Sequence, residues 1–334
     1  MSEPVRVRVE KAIKEKVFPG CVIGIVHADG KREVMPFGHF TYEGAPTPVR
    51  EDSIYDLASI TKSIPTASLA LAFADGGMFS LDALVRTYVP KLQNDHGAII
   101  EDLLTYAVSG PRLSTLKEKK PDDMLTHIFE HGFEGPRGAR KYTNLPALIL
   151  GLVLERAAGD TLGNLARTYF FDPVGMKDTT FFPFRDLAER KDDIAPTEID
   201  EWRGEVRGIA HDESAYVFAK EERAVGHAGL FSSAPDILNF LEALLRGKFP
   251  AIVAGAQKGL GWQLNQEWFM GAHCGPRTFG KTGFTGTSVV CDIEKGIGFV
   301  ILSNRTYPKR PADAAEITSA INPFRCDIAD ILLR

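Results

Sequence analysis

Cysteine is scarce in this chain. The four present, Cys21, Cys274, Cys291 and Cys326, form no CxxC pair and no ligand cluster, which argues against a disulfide scaffold or a zinc site. Long apolar runs are also missing. The longest, residues 147–154, falls far short of the roughly 18 residues a membrane-spanning helix needs. There is no basic excess either, since 39 Lys and Arg face 44 Asp and Glu. A net charge of -5 argues against a protein built to hold nucleic acid or an anionic membrane. The N-terminus is charged from the start and has no apolar core of the secretory kind, so a reducing cytoplasm is the expected compartment. The eight histidines include His27, His39, His96 and His127, which are scattered and form no His-Glu-x-x-His pattern. Asp122-Asp123 and Asp192-Asp193 read as solvated or capping pairs. No metal and no cofactor is called for.

What is present is ordinary globular usage, 44% apolar and 25% charged, over a length that allows roughly two domains. Val9, Ala12, Ile13 and Val17 share one face at helical spacing, so residues 6–17 read as an amphipathic helix ended by Pro19-Gly20. Residues 21–26 form an apolar run of strand type. Asp29-Gly30 is a hairpin signal, and residues 31–40 are the expected return strand. A second strand-rich region covers residues 259–264, 267–272, 287–291 and 298–302. Residues 312–333 read as mostly helical, with Pro323 expected to interrupt them. Between these ends lie helical runs at 68–74, 100–106, 145–157, 162–169 and 234–245. The expected class is α+β: an antiparallel five-stranded sheet flanked by N- and C-terminal helices. The sheet domain would be assembled from residues 1–64 and 251–334, with a mainly helical domain, 65–250, inserted and the active site in the cleft between them.

Three short motifs carry chemistry. Ser59-Ile-Thr-Lys62 follows Tyr55-Asp-Leu-Ala58 and is expected to open a helical run through Leu71. Residues three apart share a helix face, so Lys62 can reach the Ser59 hydroxyl. Serine needs a nearby base to act as a nucleophile at neutral pH, and a desolvated lysine is a candidate. The same residues also fit a capping serine with a surface lysine. Tyr142-Thr-Asn144 can point Tyr and Asn the same way only if extended. A phenolate held near lysines is a credible base and an Asn amide can fix a substrate carbonyl, although a half-buried Tyr with a capping Asn fits as well. Lys281-Thr-Gly283 lies in an extended, glycine-rich run, where Lys281 and Thr282 could bind a carboxylate and Gly283 would admit a close backbone approach. The string Gly275-Pro-Arg-Thr-Phe-Gly-Lys-Thr282 formally matches a phosphate loop. Its context is strand-like on both sides, so the nucleotide reading is set aside.

The order and spacing of the motifs, with Tyr142 about 80 residues after Lys62, resemble the serine β-lactamase and penicillin-binding-protein family. The likeness is to its class C, D-Ala-D-Ala carboxypeptidase and family VIII carboxylesterase branch. Asp52 to Lys62, Leu103-Leu-Thr-Tyr106, Gly226-His-Ala-Gly-Leu-Phe231 and Val300-Ile-Leu-Ser-Asn304 extend it over nearly the whole chain. The resemblance implies that Ser59 is acylated, that Lys62 and Tyr142 share the proton work, and that Asn144 orients the substrate. It implies that Lys281 completes the electrostatic set, and that the backbone N–H groups of Ser59 and Phe284 form the oxyanion hole. His227 would support the cleft. A Ser-His-Asp arrangement through His211-Asp212 is the rival, without the Gly-x-Ser-x-Gly elbow that would accompany it.

The expected activity is a serine hydrolase working through an acyl-enzyme. A carboxylesterase for small or short-chain esters, with weak β-lactam turnover, is placed first. A D-stereospecific peptidase or amidase, or a β-lactamase, is the alternative, and a binding or regulatory protein without turnover is the non-enzyme alternative. The partner would be a small-molecule ester, D-amino-acid peptide or amide, or β-lactam, with no nucleic acid and no membrane span.

Overall fold

The fold starts with a hairpin. In the computed structural model, which describes residues 3–44, 46–311 and 319–334, β1 (Gly20–His27) turns through Asp29-Gly30 into β2 (Arg32–Gly38). Gly30 takes φ 91°, a left-handed conformation that favours glycine, and Asp29 Oδ1 accepts the Lys31 N–H at 3.0 Å to close the turn. On the other edge of β1 lies β10 (Ile297–Ser303), then β9 (Ser288–Asp292), β8 (Phe279–Thr282) and the two-residue β7 (Gln263–Leu264). The order is β2-β1-β10-β9-β8-β7, antiparallel throughout. The sheet therefore has five substantial strands and one short edge.

Strand periodicity sorts the side chains into two layers. From β10, Ile297, Phe299 and Ile301 join Val5, Val9, Phe324 and Ile328 of the helices Glu3–Lys14 and Ile321–Leu332. Val300 and Leu302 face the other way, into a core shared with Leu238 and Leu241 of the helix Ala234–Leu245. Because both faces are covered, β10 reads as an unbroken apolar run rather than an alternating one.

Three expectations need correcting. The strand expected over 259–264 shrinks to Gln263–Leu264, and the one expected over 267–272 is instead a short helix, Glu267–Met270. Phe269 and Met270 are neighbours and both fully buried in the terminal-helix core, which alternating strand side chains cannot achieve on one face. Pro323 interrupts nothing. It sits in the first turn of Ile321–Leu332, where its missing N–H would have had no partner. Residues 312–318 of that expected segment lie outside the described residues.

The remaining chain is mainly helical, with Ser68–Asp75, Ile100–Thr105, Pro121–His131 and Leu145–Ala158 its main helices. Two small ladders join it: β3 (Ile54–Asp56) with β6 (Phe231–Ser233), and β4 (Glu198–Asp200) with β5 (Gly204–Val206). Leu148, Ile149 and Val153 share one continuous core with Val22 and Val300 of the sheet. Among the described residues no helix is long and apolar enough to cross a membrane.

Candidate functional site

β3 delivers the chain to Ser59. Leu57 N–H donates to the Leu230 carbonyl at 2.9 Å, and Ala58 then adopts φ 48°, a left-handed conformation that costs a non-glycine residue free energy. Asp56 holds it there. One carboxylate oxygen accepts the Ala58 N–H at 2.7 Å and the other accepts the His211 N–H at 2.6 Å. Burial pushes the Asp56 carboxyl up to about 6 against these bonds, which favour its charge.

Ser59 does not open a helix through Leu71, as expected. It sits in a single 3₁₀ turn, Ala58–Lys62, which ends because Ile64 precedes Pro65 and takes an extended conformation, φ -117° and ψ 111°. The α-helix resumes only at Ser68. The tight turn brings the pair closer, since side chains three apart eclipse in a 3₁₀ helix. Lys62 Nζ donates to Ser59 Oγ at 2.9 Å and to the His227 carbonyl at 2.7 Å, and Lys62 is 2% exposed. It is no surface lysine.

Tyr142 closes over this pair. Its phenol oxygen hydrogen-bonds with Ser59 and Lys62, while the side chain as a whole is 55% exposed, so the hydroxyl is the inner end of an open ring. Burial of that hydroxyl opposes ionisation, but the Lys62 and Lys281 charges and the two hydrogen bonds outweigh it and bring Tyr142 down to about 8. Lys281 Nζ lies 5.0 Å from the Tyr142 ring centre and donates to Tyr106 Oη at 3.2 Å. Burial pulls Lys281 down to about 8, opposed by Tyr142 and aided by Lys62. Tyr106 was missed as a site residue. It ends the helix Ile100–Thr105 at φ 55°, its ring is 4.9 Å from that of Tyr142, and burial holds its hydroxyl well above the ordinary tyrosine range. Its only signal was its place in Leu103-Leu-Thr-Tyr106.

Asn144 stands at the N-cap of Leu145–Ala158 but makes no capping bond with its side chain. Its Nδ2 donates instead to Asp212 Oδ2 at 2.9 Å. An ionised carboxylate only accepts, so the NH2 end must face Asp212 and the amide oxygen is left over. Asp212 also accepts from Ala215 N–H at 3.0 Å, from the Ser214 hydroxyl, and from His227 Nε2 at 3.2 Å. Burial opposes its charge, yet His227, Ser214 and Ala215 together hold the carboxyl well below the usual range. His227 is fully buried and serves twice, its carbonyl on Lys62 and its ring on Asp212. His211 faces Thr197 Oγ1 at 3.1 Å, and burial with the Arg310 and Arg203 charges pushes it down to about 3. It makes no bond to Ser59.

A cavity of about 300 Å³ opens beside Ser59 and is lined by Tyr142, Lys281, Thr282, Gly283 and Phe284 among others. The Phe284 N–H has no acceptor among the described residues and remains available to a ligand. Gly283 lines the cavity and also packs tightly against the chain. A Cβ there would lie 2.1 Å from Thr287 Oγ1 and 2.4 Å from the Leu57 carbonyl, so the close approach is made by the protein itself. Thr285 Oγ1 donates to the Asp56 carbonyl at 2.8 Å and Thr287 Oγ1 to that of Leu57 at 3.1 Å. These bonds stitch the turn after β8 to the turn that carries Ser59. Asn144 and His227 stand behind the cavity rather than in its wall. A larger cavity, about 600 Å³, lies on the far side of Gly226 and contains none of these groups. Among the described residues no three His, Cys, Asp or Glu side chains are placed to hold a metal ion.

The beta-lactamase family matches residues 6–321. The N-acetylmuramyl-L-alanine amidase of Bacillus subtilis (strain 168) is 23% identical over 358 residues, covering 90% of this chain and 81% of that protein. In fold, the chain is similar to a beta-lactamase from Sulfitobacter sp. EE-36, with a TM-score of 0.75 at 22% identity over 99% of this chain and 97% of that one. It is also similar to a beta-lactamase/D-alanine carboxypeptidase from Pseudomonas syringae, with a TM-score of 0.74 at 20% identity over 97% of each chain. With a match over nearly its whole length and this architecture, the chain belongs to the beta-lactamase family and is a serine hydrolase of the β-lactamase, carboxypeptidase and esterase type.

Proposed function

We propose that the chain cleaves small amides, peptides and esters through an acyl-enzyme on Ser59. The observation that carries the reading is the 2.9 Å bond from Lys62 Nζ to Ser59 Oγ, with the Tyr142 phenol on the same hydroxyl. Ser59 Oγ attacks the acyl carbon as its proton passes to Tyr142 or Lys62. Negative charge gathers on the carbonyl oxygen and is met by the N–H groups of Phe284 and Ser59, donors fixed before the reaction begins. Tyr142 returns the proton to the leaving group, and water then frees Ser59. Tyr142 and Lys281 both lie near 8 and sense each other, so they titrate as a set.

Among acyl donors we place amides and small peptides first. The amidase name of the Bacillus subtilis relative supports this order. Short-chain esters, which the sequence places first, remain the second reading. It is favoured by an open aromatic rim in which Tyr142 is 55% and Trp268 41% exposed.

The test is intact-mass spectrometry after brief exposure to p-nitrophenyl butyrate, an N-acyl-D-alanyl-D-alanine and a fluorescent penicillin, with Ser59→Ala as control. We expect turnover or a covalent adduct that the control loses, by roughly 10⁴-fold or more in rate. Turnover that survives Ser59→Ala would sink the mechanism.

A further inference from the structure

Tyr106 stands at a point of the backbone that does not suit a tyrosine. Helices that end in a left-handed residue usually place Gly or Asn there. The helix Ile100–Thr105 ends instead on Tyr106, at φ 55° and ψ 31°. A costly backbone conformation of this kind points to a side chain needed where it is. Three contacts meet on the residue. Its carbonyl accepts the Lys141 N–H at 3.2 Å, which pins the residue before Tyr142. Its ring centre lies 4.9 Å from that of Tyr142, with the rings tilted by 50°. Its hydroxyl accepts from Lys281 Nζ at 3.2 Å.

Lys281 is 2% exposed, and its ammonium sits 5.1 Å from the Tyr106 ring centre and 5.0 Å from that of Tyr142. The Tyr106 hydroxyl is its one hydrogen-bond acceptor among the described residues, although an ammonium carries three donors. The titratable groups that face it are Lys62 from the turn of Ser59, Tyr142 from the loop ahead of Leu145–Ala158, and Tyr106 itself. Arg305 and Arg325 line the same cavity, and no Asp or Glu among the described residues does. On the helix of Tyr106, Asp102 is taken up by Arg137 at 2.6 Å. The buried ammonium is therefore held by one oxygen and two aromatic rings rather than by a carboxylate. Burial and the Tyr142 charge keep the Tyr106 phenol well above the ordinary range, so it stays neutral, an acceptor for Lys281 and not a proton carrier.

We propose that Tyr106 is a positioning residue of the reaction: it clamps the Lys281 ammonium against Tyr142 and so keeps a positive charge beside the phenol that takes the Ser59 proton. The inference rests on the acyl-enzyme reading and deepens it by naming what fixes the second lysine. Without the Tyr106 hydroxyl, Lys281 stays buried with none of its donors answered within the chain, which favours the neutral amine. Less positive charge then reaches Tyr142, and its phenolate forms at higher pH.

The test is Tyr106→Phe, which keeps the ring and removes one oxygen. It is assayed as kcat/KM against pH on one activated ester, in wild-type and Lys281→Met backgrounds. In wild type the rising limb should move to higher pH by about half a unit, a loss of about threefold at neutral pH. In Lys281→Met the same change should cost almost nothing, because the group it acts through is gone. A limb that stays in place or moves to lower pH would overturn the proposal. So would an equal loss in both backgrounds, which would leave Tyr106 only a packing partner of Tyr142. If wild type turns nothing over, the acyl-enzyme reading fails, and the titration of Tyr142 decides the role of Tyr106 separately. In protein carrying tyrosine labelled with 13C at Cζ, the NMR resonance that Tyr142→Phe removes should titrate at higher pH in Tyr106→Phe than in wild type. An unmoved or lowered midpoint overturns the proposal.

Discussion

On the side of the cleft that carries Ser59, Lys62 and Tyr142, with Asn144 and Asp212 behind it, the polar heads are tied to one another within the chain. Lys62 is held by Ser59 and the His227 carbonyl, Asn144 by Asp212, and Asp212 by His227, Ser214 and Ala215. On the opposite wall, Arg305 bonds the Phe284 carbonyl through its Nε, and Arg325 is buried with its Nε unpartnered and no Asp or Glu among the described residues that line the cavity. The first wall is complete without a ligand. The second holds cations that make no salt bridge among the described residues. The two sides sit on separate elements, which meet at the seam where Thr285 and Thr287 bond to the carbonyls of Asp56 and Leu57.

Substitutions on the first wall should lower kcat with little change in discrimination. Tyr142→Phe removes the phenol but keeps the ring against Tyr106, and is expected to lower kcat by roughly 10²–10³-fold, the usual worth of a positioned acid-base group. Steady-state kinetics on one activated ester would check it, and a loss confined to KM would assign Tyr142 to binding instead. The seam is the next place to press. Gly283→Ala drives a methyl group into the Leu57 carbonyl and Thr287, and should lower stability by about 1–3 kcal/mol in urea denaturation. An unchanged midpoint would mean that the two turns are not pinned together.

The smallest expected effect is on pH dependence. Tyr142 ionises near 8, below its ordinary value, so the fraction able to take the Ser59 proton grows as pH rises towards 8, and kcat/KM should rise with it. Lys281→Met removes a positive charge that favours the phenolate, so the rising limb should move to higher pH by about one unit. A profile that stays in place or moves to lower pH would contradict the coupling of Tyr142 to Lys281.

The residues of the site also differed in how far the sequence revealed them. Ser59 and Lys62, Tyr142 and Asn144, and Lys281 to Gly283 are local strings, and local spacing is what a linear reading can weigh. The hairpin over Asp29-Gly30 and the apolar run of β10 were legible for the same reason. Arg305 and Arg325 lie 20 residues apart on different elements, and only the folded chain brings them to Gly283 and Phe284. Tyr106 and the bond from Asn144 to Asp212 are equally long-range. Residues 267–272 failed for another reason: a short apolar run such as Trp268-Phe269-Met270 fits helix and strand alike until its burial is known.

The most direct test of the account is to trap the nucleophile as an acyl adduct with a slowly released β-lactam, or as a phosphonyl adduct with an alkyl fluorophosphonate, and map the label by tandem mass spectrometry. We predict a single modification on Ser59, within the tryptic peptide Glu51–Lys62, with no label in Ser59→Ala. A stoichiometric label on any other residue, or one that persists in Ser59→Ala, would contradict it.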